Sequence, residues 1–579
     1  MVCRQILVGW LIAVGACAPP LATARADSPS AELLRLVPDD VAFCLVIRDL
    51  RGNCAALLES PFVEKFRTSR LGMALRSAPE LGKLAEVEKQ VQNLLGIKWE
   101  ELRDDVLGDA VVFAYRLGPP GRQEQEQGLL LVRARSEKTL ARLVDRLNEV
   151  QKQSGDLKEV TERAHNGRKY YQRTERKESN FYFVRGAILC FATREDLLRR
   201  AIDLDQQRTP ADKELPAVAR ALRRLNAEES FVALWINPRA FDSELLRKAN
   251  TSKGAEADFL KAFGNYWKAL DGIALHAVLG RDLELRLSIR VKPDVSPAAV
   301  RQLWAEAALP SDLWGSFGDD AMLAMAGRLD VPALVSFCSD FFSDDARAAI
   351  RAAVDKSVRA VVDKDLTTEV LPCLGPDWGF CVSAPPAADK DWCPHVLAAL
   401  RVRPGKSESR VDQALLTAIH SLAVLIVLDH NSKHADRMSL KSTTHDKVEI
   451  KYLANDKAYP PGLQPAFALK GGYLVLASSP EAIRRFTPPT GRTPVSANGE
   501  VPILRISLRA LRAYIKNRHD ALAAYAANKN QISKEEAARR LEGLLMGLEL
   551  FDRVELTRRV TTDQATLTLR IRPAEPLRK

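Results

Sequence analysis

The residues most suggestive of chemistry are Asp429, His430, His434, His445 and Asp446. The spacing His430-x-x-x-His434 would set two imidazoles on one helical face. A carboxylate or a third imidazole from the hairpin that follows could then complete a tetrahedral zinc site, the arrangement of a metal-dependent hydrolase. Against this, the segment DHNSKHADR reads as a loop leaving an apolar helix, where histidines are simply solvated, and His434 has no counterpart elsewhere in the chain. Two further groups carry charge in pairs. Asp39-Asp40 and Asp319-Asp320 each open a strand pattern, but adjacent strand residues point to opposite faces, so turn duty suits them better than a shared proton or cation. Arg199-Arg200 and Arg484-Arg485 could hold a phosphate or carboxylate; at the C-terminal ends of helices they also suit the helix dipole unaided.

Motifs with a built-in mechanism are missing. The chain has no Gly-x-Gly-x-x-Gly, no phosphate-binding Gly-Lys-Ser/Thr loop, no His-Glu-x-x-His, no Gly-x-Ser-x-Gly and no Cys-x-x-Cys. The sequence therefore assigns no catalytic residue, no cofactor ligand and no metal ligand, and a non-catalytic role is the first reading. The tryptophans Trp235, Trp267, Trp304, Trp314, Trp378 and Trp392 form no regular stacking array and read as packing residues.

The elements that would position these groups come in two sets. Phe181–Arg200 (FYFVRGAILCFATREDLLRR) returns at Ala466–Arg485 (AFALKGGYLVLASSPEAIRR) in one ungapped register. In both, two strands flank a glycine turn, and Thr193-x-x-Asp196 or Ser478-x-x-Glu481 starts a helix as a capping box. As a structural block used twice, it should leave the turn residues Arg185 and Lys470 in solvent. The opening VPDDVAFCLVIRDL is echoed by GDDAMLAMAGRLDVPAL, with Arg48 over Arg328, a shift of 328 − 48 = 280 residues. His165 and His445 both precede hairpin turns. The closing strands LRLSIRVKP, ending at Pro293, and ATLTLRIRP, ending at Pro573, match almost position by position. The order of strands and helices predicts an α+β fold: two tandem copies of a domain with a mixed, mostly antiparallel sheet and packed helices. The first copy is 27–293 and the second 294–579.

Before these copies, Arg4, the apolar run Ile6–Ala18 and the site Ala24-Arg25-Ala26 form a secretory signal layout over 1–26. Val14-Gly15-Ala16-Cys17 also resembles a lipobox, which would anchor the chain by a lipid on Cys17. The expected location is outside the cytoplasm, in the periplasm or beyond it. Removing the signal takes Arg4 and Arg25 from the formal charge of +11, leaving +9. This excess is spread along the chain and lacks the basic stripe of a nucleic-acid footprint. No transmembrane helix is expected in the mature chain. Seven of nine cysteines would remain after cleavage, an odd and irregular set; Cys373, Cys381 and Cys393 are close enough for one disulfide.

The opening LVPDDVAFCLVIRDL, behind an export signal and a helix, resembles a family of exported bacterial proteins known as a domain of unknown function. That resemblance implies the same compartment and carries over no catalytic residue. Together these features predict an exported envelope or periplasmic protein that binds a protein, polymer or small ligand between two duplicated domains. The alternative is the metal-dependent hydrolase with its site near His430–Asp446.

Overall fold

A computed structural model describes residues 28–76, 79–176, 178–207, 215–386, 391–405 and 410–574. Residues 1–26, expected to be a signal segment, and Cys17 within them lie outside the described residues. The fold is α+β, and the strands belong to one antiparallel sheet. In the first half they are β1 (Phe43–Arg48), β2 (Ala110–Arg116), β3 (Gln127–Arg133), β4 (Leu157–His165), β5 (Arg168–Glu175), β6 (Ser179–Arg185), β7 (Ile188–Ala192), β8 (Val232–Ile236), β9 (Leu270–Leu279) and β10 (Leu283–Val291). In the second half they are β11 (Leu323–Arg328), β12 (Leu374–Ser383), β13 (His395–Val402), β14 (Ser439–His445), β15 (Val448–Ala454), β16 (Ala466–Lys470), β17 (Tyr473–Ala477), β18 (Val501–Ser507), β19 (Phe551–Val560) and β20 (Gln564–Pro573).

The order across the first half is β4-β5-β6-β7-β3-β2-β1-β8-β9-β10. The second half has the same order with ten added to each strand number. The halves meet where β10 pairs with β20, from Leu283 opposite Ile571 to Arg290 opposite Gln564. At the middle of this seam Leu287 faces Leu567. Their separation, 567 − 287 = 280, is the shift that aligns the closing strands in sequence, so Leu287 pairs with its own counterpart.

Strand alternation assigns the two faces. One face carries the main core of the first half, where Cys44, Val46, Val112, Ala114, Leu131 and Ala233 pack beneath the helices Pro29–Leu34, Glu195–Gln206 and Ala217–Arg224. Each fully buried Val or Leu contributes roughly 1.5–3 kcal/mol. The second half builds a smaller core around Leu313, Phe317, Ala324, Ala326, Val475 and Ile483.

Toward the seam this same face becomes polar. Ser230 Oγ lies 2.7 Å from His276 Nδ1, His276 Nε2 lies 3.2 Å from Ser288 Oγ, and Ser288 Oγ is 3.0 Å from Thr566 Oγ1 on the other half. Ion pairs cross beside this chain: Arg570–Glu284 at 2.7 Å, Arg290–Asp563 at 3.0 Å and Arg572–Asp282 at 3.2 Å. Burial alone would raise the Glu284 carboxyl, but Arg570 and Arg286 outweigh it and hold the group below its ordinary value. All seven described cysteines are free thiols, so the disulfide that the spacing of Cys373, Cys381 and Cys393 would allow is not formed.

His276 supplies a pH test. It is 2% exposed, and burial, with Arg286 and Arg48 nearby, lowers its pKa from 6.5 to about 4. Below 6.5 the unfolded chain takes up a proton that the folded chain refuses until about 4, so this contribution is lost as pH falls through that window. The loss should total about 3 kcal/mol. Urea midpoints measured near pH 7 and near pH 4.5 should show the decline, and His276→Gln should flatten most of it. An unchanged slope in the variant would place the titration elsewhere.

Candidate functional site

The structure does not assemble the histidine and aspartate group. The apolar helix runs Val411–Lys433, longer than the sequence reading allowed, so His430 sits in its last turn and His434 caps it. The apolar run and the helix-forming residues beyond it simply continue the same ladder. His430 Nε2 lies 3.2 Å from Asp436 Oδ2, and Asn455 Nδ2 donates to that oxygen at 2.8 Å. The His434 ring stacks on His430 at 4.6 Å, while Asp429 pairs with Lys433 at 2.6 Å. His445 stands apart at the β14–β15 turn, 3.2 Å from Asp446. Among the described residues, no three His, Cys, Asp or Glu side chains are grouped to hold a metal ion. The contacts of His430 fasten the helix end to the start of β14 and the end of β15.

The paired arginines are neutralised locally. Arg199 Nη2 donates to Glu195 Oε1 at 2.8 Å and to Tyr170 Oη at 3.2 Å, and Arg200 meets Asp40 at 2.8 Å. Arg484 and Arg485 share Glu481 at 3.4 and 3.0 Å. Arg199 and Arg484 do line clefts at matching places, between the β5–β6 or β15–β16 connection and the helix after β7 or β17. Each cleft supplies its own carboxylate to its arginine, Glu195 to Arg199 and Glu481 to Arg484. Asp40 also takes Arg116 at 2.8 Å, and Asp319 takes Arg505 at 2.8 Å, so one aspartate of each pair ties the strand start to a neighbouring strand.

Two local expectations need correction. Arg185 and Lys470 are not in solvent. Arg185 reaches Glu32 at 3.1 Å and Asp205 at 3.4 Å, while Lys470, 8% exposed, donates to the carbonyls of Ile483 and Arg484 at 2.9 and 3.0 Å. Arg185 thus meets carboxylates of two helices, whereas Lys470 meets the unpaired carbonyls at the end of its helix. Nor do Thr193 and Ser478 cap helices. Their hydroxyls accept from the backbone N–H of Gly128 and Val396, clamping the neighbouring strands, and Ser479 caps the second helix instead.

The site the sequence reading missed lies on the opposite face of the seam. There Leu275, Leu285, Leu287, Leu567, Leu569 and Leu556 form an apolar floor over β9, β10, β20 and β19. Leu275 is 50% and Leu285 41% exposed. Helices from each half reach across at opposite ends of the seam. Phe62 of the helix Pro61–Thr68 stacks on Phe551 at 5.5 Å, and Phe337 and Phe341 pack on Tyr266 of the helix Ala255–Ala269, each at 5.1 Å.

One cation interrupts this floor. Arg558 shares the strand phase of Val554, Leu556 and Val560 and faces Leu567, as Leu275 faces Leu287 on the other side of the seam. Its Nε and Nη2 atoms are buried without a hydrogen-bond partner, and burial is the cause of its lowered pKa. Arg173, Arg185, Arg239 and Arg505 also bury an unpaired Nε, yet each has a partner through other atoms. The signal in the sequence was the run FDRVELTRRV, where an arginine occupies an apolar phase.

A second apolar surface is the helix Val411–Lys433 itself, long and apolar enough by length and composition to cross a membrane. Leu422, Leu425, Ile426 and Leu428 on it are all at least half exposed.

An uncompensated buried cation lowers stability. Arg558→Met, which keeps an unbranched aliphatic stem and removes the charge, should raise the unfolding free energy by about 1 kcal/mol. Chemical denaturation checks this, and a loss of stability would mean that Arg558 has a structural partner.

No family model matches the chain, and no curated protein matches it. Among solved structures it is similar to crystal form I of TP0453, with 12% identity and a TM-score of 0.21, covering 44% of this chain and 77% of that one. Crystal form III of the same protein gives 15% identity and a TM-score of 0.23, covering 48% and 86%. Likeness at this level carries no functional argument.

Proposed function

We propose that this chain is an exported, non-catalytic protein in which two copies of one α+β unit, 27–293 and 294–579, hold an apolar ligand or partner between them. One observation carries the reading: an open apolar floor at the junction of the halves, with Leu275 and Leu285 half exposed on regular strands. Water-facing leucines on a rigid sheet gain free energy when covered, roughly 25 cal/mol for each Å² of apolar surface removed from water. The ionisable clusters elsewhere are internally paired, which favours binding over acid–base chemistry.

A solvatochromic apolar dye tests this. The protein should enhance its fluorescence saturably, and the double variant Leu285→Glu/Leu569→Glu should abolish most of the enhancement at an unchanged denaturation midpoint. Leu425→Asp/Leu428→Asp, on the exposed helix, should leave that signal intact. No enhancement by the native protein would end the proposal.

The exposed helix Val411–Lys433 supports a second property, peripheral attachment to a membrane surface. Co-sedimentation with lipid vesicles should be lost in Leu425→Asp/Leu428→Asp and kept in the floor variant. Equal retention of both would remove the helix from that role.

A further inference from the structure

We propose that the floor between the halves is a site for a single-chain anionic amphiphile, a long-chain carboxylate, with Arg558 as the residue that binds its head group. This rests on the reading of the floor as a binding surface and adds the chemistry of its occupant. Arg558 is the only described arginine that combines buried, unpaired guanidinium nitrogens with no ion pair or hydrogen bond through its other atoms. Its neighbours across the strands are Leu567 and Val501, and along the strand Leu556 and Val560, so the immediate register supplies no acid.

A guanidinium in such surroundings is complementary to a carboxylate, which it can take in a bidentate fork. The rest of the ligand must be apolar, because the floor beyond Arg558 is Leu567, Leu287 and Leu275 in one row. Three strand spacings separate Arg558 from Leu275, about 14 Å, a length that an extended acyl chain can cover. A single cation with one apolar row suits one head group and one chain. The opposite face of these strands cannot serve, since Arg570, Arg572 and Arg290 already pair there with Glu284, Asp282 and Asp563.

The test uses the purified full chain and dye displacement by palmitate, by hexadecanol and by a two-chain acidic phospholipid. Palmitate should displace the dye at the lowest concentration. Arg558→Gln should weaken palmitate by about 10- to 100-fold, the worth of a charge-assisted hydrogen bond, and leave hexadecanol unchanged. Arg558→Lys should fall between them, keeping charge without the fork. Equal displacement by palmitate and hexadecanol, or an Arg558→Gln variant indistinguishable from native, overturns the head-group assignment while the floor stands. Stronger displacement by the two-chain phospholipid overturns the single-chain assignment. If the native protein binds no dye and no palmitate, the floor reading fails and this inference fails with it.

Discussion

The antiparallel pairing of β10 with β20 is the constraint on which the rest of the architecture depends. Without it, each half would end in an open edge of unsatisfied N–H and C=O groups. With it, ten strands on each side join in one sheet, and alternation forces a choice of face at the join. One face spends its residues on cross-seam hydrogen bonds and ion pairs around His276, Ser288 and Glu284. The other is left with leucines. The polar face fixes the register, since a slip of β20 by one residue would carry Arg570 onto the apolar side and away from Glu284. The floor inherits its rigidity from that lock.

Charge in this molecule is otherwise settled close to home. Asp40 serves Arg116 and Arg200, Glu195 serves Arg163 and Arg199, and Glu481 serves both of its neighbouring arginines. Most of these pairs are partly exposed and contribute little stability one by one. They matter as ties between a strand and the helix packed over it. Among the described arginines with buried guanidinium nitrogens, Arg558 is the one that has no such tie.

Much of the fold was legible in the sequence. The α+β class followed from the order of strand runs and helices along the chain. The pairing of β10 with β20 was not legible, because similarity between two strands does not say that they touch. Helix starts at Thr193 and Ser478 were misplaced, since a hydroxyl before a helix can serve a neighbouring strand equally well. Arg185 and Lys470 read as solvent-facing because each precedes a glycine turn; only their contacts with neighbouring helices show otherwise. The histidine group misled for the opposite reason: sequence proximity brought together residues that the β14–β15 hairpin holds apart. Arg558 escaped notice because one charged residue in an apolar phase means little until both neighbouring strands are known.

The register at Leu287 and Leu567 relates the halves as the subunits of a homodimer are related, yet they belong to one chain. In a true homodimer every floor residue would occur twice, and a ligand lying across the axis would see the same ends whichever way it lay. A continuous chain is free of that restriction. It places leucine at position 275 and arginine at position 558, on either side of the central pair. The surface thereby acquires a direction that symmetry would have denied it.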